Sequence, residues 1–170
     1  MVTGHELTHV DERGAARMVD VSAKDITVRS ATVSGFLSTT PEVIGTTPEV
    51  IGLLRGEGVP KGDALAVACV AGIQAAKRTP DLVPLCHPIA IHGVTVDLEA
   101  TDGGVSIVAT VRTADRTGVK MEALTCVAAA GLTLIDMIKA VDRAATITDV
   151  RVEKKTGGRS GTWRRGVRSQ

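Results

Sequence analysis

From Ile26 to Val33 two interleaved rows run through the chain: Ile26, Val28, Ser30 and Thr32 alternate with Thr27, Arg29, Ala31 and Val33. Period two with so many β-branched residues predicts a strand. The pattern changes after Asp63, a helix-capping residue type. Leu65, Ala68, Cys69, Gly72, Ala75 and Ala76 then fall near one face of a helix over residues 64–77. Pro80, Pro84 and Pro88 mark an irregular loop. Alternation returns at Val94, Val96 and Leu98, turns at Asp102-Gly103-Gly104, and comes back over residues 105–112 as a paired strand. An alanine-rich stretch over residues 121–143 predicts a long helix, and Ile147, Val150 and Val152 a last strand. Mixed elements around an antiparallel hairpin place the chain in the α+β class, in two layers.

One segment breaks the order. Thr39-Thr40-Pro41-Glu42-Val43-Ile44-Gly45 recurs unchanged as Thr46-Thr47-Pro48-Glu49-Val50-Ile51-Gly52. Each copy carries a Thr cap, a Pro at the first helical position and an acid in the first turn. Only one copy can start a given helix. The second is expected to do so, running to about Arg55, with residues 39–45 as an inserted turn. Two copies are too few for a solenoid.

Composition narrows the function. The 170 residues fit one domain, with residues 1–14 expected as an N-terminal arm and residues 162–170 as a flexible basic tail. Phe36 and Trp163 are the only aromatics. That argues against stacking platforms for single-stranded nucleic acid. The N-terminus has no apolar signal region, and the apolar run 64–73 is far short of a membrane span. Cys69, Cys86 and Cys126 are scattered without a paired-cysteine motif, so inert buried thiols and a reducing cytoplasm are expected. The net charge of +1 is uneven: residues 151–170 carry +6 and the body −5, which suggests an anionic ligand at the C-terminal segment.

Three stretches carry candidate chemistry. His87 is set between prolines in KRTPDLVPLCHP (residues 77–88), where an imidazole could trade a proton near neutrality, although taken alone it reads as a structural histidine. Glu122 falls in the first turn of the long helix, a position that the helix dipole by itself accounts for. Asp136 and Lys139 share a face at i, i+3. They are either a partly buried pair tuning each other's proton affinity or an ordinary surface ion pair. KTGGRSG (residues 155–161) combines free backbone with cations, as a phosphate site would, but lacks P-loop order and is a weak signal alone.

These segments, together with LTHVD (7–11), ARMVDVSAK (16–24), TGVKMEALT (117–125) and DMIKAV (136–141), closely resemble the MoaC family of cyclic pyranopterin monophosphate synthases in molybdenum cofactor biosynthesis. The match runs in order over nearly the whole chain. The resemblance implies a ferredoxin-like fold, a homo-oligomer (a hexamer of dimers) with its site at a subunit interface, and no metal or organic cofactor. It implies a small-molecule substrate, the cyclised dihydro-GTP intermediate, rearranged with expulsion of diphosphate, and neither a nucleic-acid nor a membrane partner. By motif, Asp136, Lys139 and His87 match catalytic residues. Leu85, Cys86, His87, Met121 and Glu122 match substrate-binding segments, and Lys61, Arg112 and Lys155 match basic residues around the triphosphate.

Two departures stand out. The family usually has Glu where this chain has Lys120, a reversed charge that leaves a catalytically weakened paralogue as the alternative. The repeat also adds seven residues ahead of Lys61-Gly62-Asp63.

Overall fold

The computed structural model describes residues 9–11, 13–39, 63–101 and 103–166. The repeat beyond Thr39, the helix expected after it and Lys61 lie outside these residues.

The first strand is β1, Thr27–Ser38. It is followed by α1, Ala64–Lys77, whose cap is Asp63: its carboxylate accepts from the Ala66 amide at 3.0 Å. Pro80 then starts a one-turn helix, α2, Thr79–Leu82, inside the stretch expected to be irregular. A hairpin of β2, Gly93–Thr101, and β3, Gly104–Asp115, leads into α3, Lys120–Ile138. The last strands are β4, Thr146–Thr156, and β5, Trp163–Arg164. The long helix stops five residues before the expected Arg143, in a turn where the Val141 and Asp142 amides both bond the Ile138 carbonyl. Part of the expected basic tail is paired rather than loose, since Trp163 and Arg164 lie against Lys155 and Lys154.

The sheet order is β2-β3-β1-β4-β5 with every pair antiparallel. The first four strands and the two long helices follow one another as βαββαβ, which makes the fold α+β and ferredoxin-like. Alternation decides the layers. Ala31, Val33 and Leu37 of β1 and Val105, Ile107, Ala109 and Val111 of β3 point to one face and are buried there. Against them pack Ala123, Val127, Ala130, Leu134 and Ile138 of α3, while α1 contributes Ala64, Ala68 and Ala76.

With almost no aromatics, the core is filled by drawing the helices together. A Cβ on Gly72 of α1 would meet the Cys126 carbonyl of α3 at 3.0 Å, so a larger residue there would force the helices apart. The Cys126 thiol is buried as expected and pushed up to about 12 by loss of solvent, with Cys69 adding to the shift, whereas Cys69 and Cys86 are only half-buried. Among the described residues, the helix long and apolar enough to cross a membrane is α3 rather than the run 64–73. Its hydropathy comes from the row of side chains it buries in this core.

Candidate active site

The loop after α2 is held from both ends. The Thr79 hydroxyl, fully buried, donates to the Ala76 carbonyl at 3.1 Å, and the Cys86 amide closes a turn on the Val83 carbonyl at 2.9 Å. Prolines 84 and 88 fix the backbone on either side of Leu85, Cys86 and His87. Opposite this loop stands the N-terminus of α3, where Val119 provides no side-chain cap. Between them lies a cleft of about 810 Å³ lined by Leu85, Cys86 and His87, by Lys120, Met121 and Glu122, and by His9 from the N-terminal arm.

Glu122 dominates the electrostatics of this cleft. It is 3% exposed, and its Oε2 has no hydrogen-bond partner among the described residues. Burial raises its carboxyl above the usual range because an ionised carboxylate loses its hydration there, and a backbone hydrogen bond offsets only part of this. The Cys86 thiol is raised too, first by burial and then by the negative charge of Glu122.

His87 is oriented rather than free. Its Nε2 lies 2.7 Å from the Val19 carbonyl. A carbonyl only accepts, so Nε2 carries a proton, and the nitrogen open to proton exchange is Nδ1. The neighbouring Asp20 carboxyl is held low, chiefly by hydrogen bonds from the Ser22 backbone and hydroxyl, with a smaller contribution from His87.

Of the basic residues expected around the triphosphate, Arg112 and Lys155 lie apart from this cleft. Arg112 lines a separate cavity of about 680 Å³ with His92, over β2 and β3. Lys155 donates to the Ser160 hydroxyl. Ser160 in turn lines a third cavity, of about 740 Å³, together with Lys24, Arg29, Gly158 and Arg159. Three cations, with the single carboxylate of Asp25, thus line one opening beside the KTGGRSG segment. Its shape depends on Gly157, at φ +88°, where a Cβ would strike the Val28 carbonyl at 2.3 Å.

Asp136 and Lys139 meet at 2.6 Å, near the opposite end of α3 from Glu122. Their side chains are 59% and 63% exposed, so within one chain the expected partial burial is not found. The flanking apolar residues turn inward to the sheet, and this face turns outward. Among the described residues, no cluster of three or more His, Cys, Asp or Glu is placed to hold a metal ion.

The model of the MoaC family matches residues 18–158.

The chain belongs to the MoaC family.

A protein of Streptomyces avermitilis named cyclic pyranopterin monophosphate synthase is 64% identical over 159 residues, covering 94% of this chain and 89% of that protein. One of the same name from a Nocardioides species is 65% identical over 162 residues, 94% and 95% of the two chains. A protein of Mycobacterium bovis named cyclic pyranopterin monophosphate synthase 2 is 56% identical over 160 residues, 94% and 92%.

In this MoaC chain the fold gathers five of the sequence-derived residues, Leu85, Cys86, His87, Met121 and Glu122, at one cleft. It leaves Arg112, Lys155 and the Asp136–Lys139 pair at three other places. The cations Lys24 and Arg29 escaped sequence reasoning. The glycine-basic motif pointed to Arg159, but Lys24 and Arg29 reach that opening from the start of β1, which sequence spacing does not reveal.

Proposed function

We propose that this MoaC chain is a cyclic pyranopterin monophosphate synthase, a lyase of molybdenum cofactor biosynthesis. It converts the cyclised dihydro-GTP intermediate into cyclic pyranopterin monophosphate and releases diphosphate. The observation that carries this reading is the buried Glu122, whose Oε2 has no hydrogen-bond partner among the described residues, in a cleft shared with a His87 oriented by the Val19 carbonyl. A carboxyl whose proton affinity is raised by burial can hold and give a proton, and the Nδ1 of His87 can take one, so one cleft offers both directions of transfer.

Closure of the cyclic phosphate forms a bond from a substrate hydroxyl oxygen to the α-phosphorus and breaks the bond to the diphosphate. The hydroxyl proton passes to a base, and negative charge grows on the leaving group. The opening lined by Lys24, Arg29 and Arg159 supplies fixed positive charge for it, with Lys155 and the undescribed Lys61 as further candidates. Asp136 and Lys139 act as the catalytic carboxylate and ammonium, and Arg112 belongs to the triphosphate set.

The protein works in the cytoplasm as a homo-oligomer, a hexamer of dimers, with the site between subunits. In support, Asp136 and Lys139 stand too far along α3 from Glu122 for one chain to close a single reacting centre. Incubation with the cyclised dihydro-GTP intermediate tests the assignment. Release of diphosphate with the cyclic product is expected. Tight binding without turnover would instead support the weakened paralogue suggested by Lys120, and neither binding nor turnover would refute both readings.

A further inference from the structure

The described residues from His9 to Arg17 form a built element. Val10 pairs with Ala16 in an antiparallel bridge, and the Arg17 amide donates to the His9 carbonyl at 2.9 Å. Inside the turn, the Asp11 carboxylate accepts from the Arg13 amide at 2.9 Å and the Ala15 amide at 2.8 Å. So short a hairpin has no core to hold it, and on its own it would be marginal. Here one carboxylate staples it from within. Just beyond it, the Val19 carbonyl receives the Nε2 proton of His87 and ties the arm to the cleft wall.

Both flanks of the hairpin reach that cleft, through His9 and Ala16. The His9 ring is exposed and makes no hydrogen bond to the described residues, so its two nitrogens are open to whatever fills the cleft. We propose that His9 is a further substrate-binding residue of this cleft, presented by a hairpin that Asp11 holds in shape. Asp11 is then a positioning residue that acts through His9. The ligand suited to such a wall is a hydrogen-bond-rich, anionic heterocycle, met by two imidazoles and the Lys120 ammonium. This inference rests on reading the cleft as the substrate site.

The test uses the full-length chain with the cyclised dihydro-GTP intermediate. His9→Ala is expected to lower kcat/KM by about tenfold, the loss that follows removal of one good hydrogen bond to the substrate. Asp11→Ala should fall in the same direction. The double variant should be no worse than the poorer single one, because both changes remove the same contact. Arg13→Ala, in the same turn but away from the cleft, serves as the control and should behave as wild type. Wild-type kinetics in His9→Ala would overturn the proposal, as would strictly multiplicative losses in the double variant. If the wild type itself shows no turnover, the functional reading fails on its own. The hairpin is then judged by the imidazole NMR signals of His9 and His87 as the same compound is added. Movement of both sustains the proposal, and a stationary His9 overturns it.

Discussion

Glu122 and Asp136 stand on one helix and about 40° apart around its axis, yet the helical rise separates their α-carbons by about 21 Å. Glu122 is buried in the cleft, whereas Asp136 is exposed beyond it. Neither side chain can span that distance, so a compact substrate touching both requires a second chain. Co-refolding inactive Asp136→Asn with inactive His87→Ala is therefore expected to restore part of the activity, since a mixed interface can hold one intact set. Absence of any activity above the parents, with subunit exchange verified, would place the chemistry in one chain.

The exposure of the Asp136–Lys139 pair makes a clean test of catalysis against stability. Asp136→Asn and Lys139→Ala should each cost roughly two to four orders of magnitude in turnover, the usual worth of a positioned proton-transfer group. Their unfolding midpoints should barely move, because a solvated ion pair contributes little to stability. Near-normal product formation by both variants would remove the pair from the mechanism.

Glu122 gives stability a defined pH dependence. Its carboxyl is raised by burial, so above the ordinary value of 4.5 the folded chain holds a proton that the unfolded chain has already lost. Its contribution is thus fully present below pH 4.5 and is lost as pH rises through the folded value. Glu122→Gln cannot titrate. Urea midpoints of the two proteins should therefore shift in favour of the variant between pH 4.5 and neutrality. A difference that stays constant across that range would show that Glu122 ionises in the fold as it does in water.

Lys120 puts an ammonium where the resemblance leads one to expect a carboxylate. Lys120→Glu should change kcat/KM more than Lys120→Ala, because it reverses the charge beside Glu122 rather than deleting it. The three proteins are compared in one steady-state assay. Identical kinetics would place the Lys120 side chain outside the reaction.

Gly157→Ala tests the cationic opening. At φ +88° a side chain costs about 1–2 kcal/mol, and the contact with the Val28 carbonyl adds to that. The variant should be less stable in urea and show a raised KM, since Gly158 and Arg159 must shift. An unchanged KM in a folded variant would detach this opening from substrate binding.

Much of the fold was legible in the residues. Asp63 marked the start of α1, the Asp102-Gly103-Gly104 turn marked the hairpin, and alternation marked β1 and β2. These signals are local, fixed by capping geometry and side-chain period within a few residues. The one-turn helix at Thr79–Leu82 was hidden because its Pro80 serves equally well in a loop. The early end of α3 was hidden because residues 139–143 have ordinary helical composition, and only the turn that caps it stops the run.

The site divided along the same line. Cys86-His87 and Met121-Glu122 were visible as motifs, and the sequence by itself determined which residue types this protein commits to chemistry. Only the tertiary structure decided their state. Glu122 looked like an ordinary first-turn acid until packing removed its water. Asp136 and Lys139 looked capable of burial until the sheet drew their apolar neighbours inward and left them outside. The protonated nitrogen of His87 depends on a carbonyl 68 residues earlier in the chain. Proton affinity, tautomer and reach arise from groups brought together across the fold, and a linear pattern contains none of those distances.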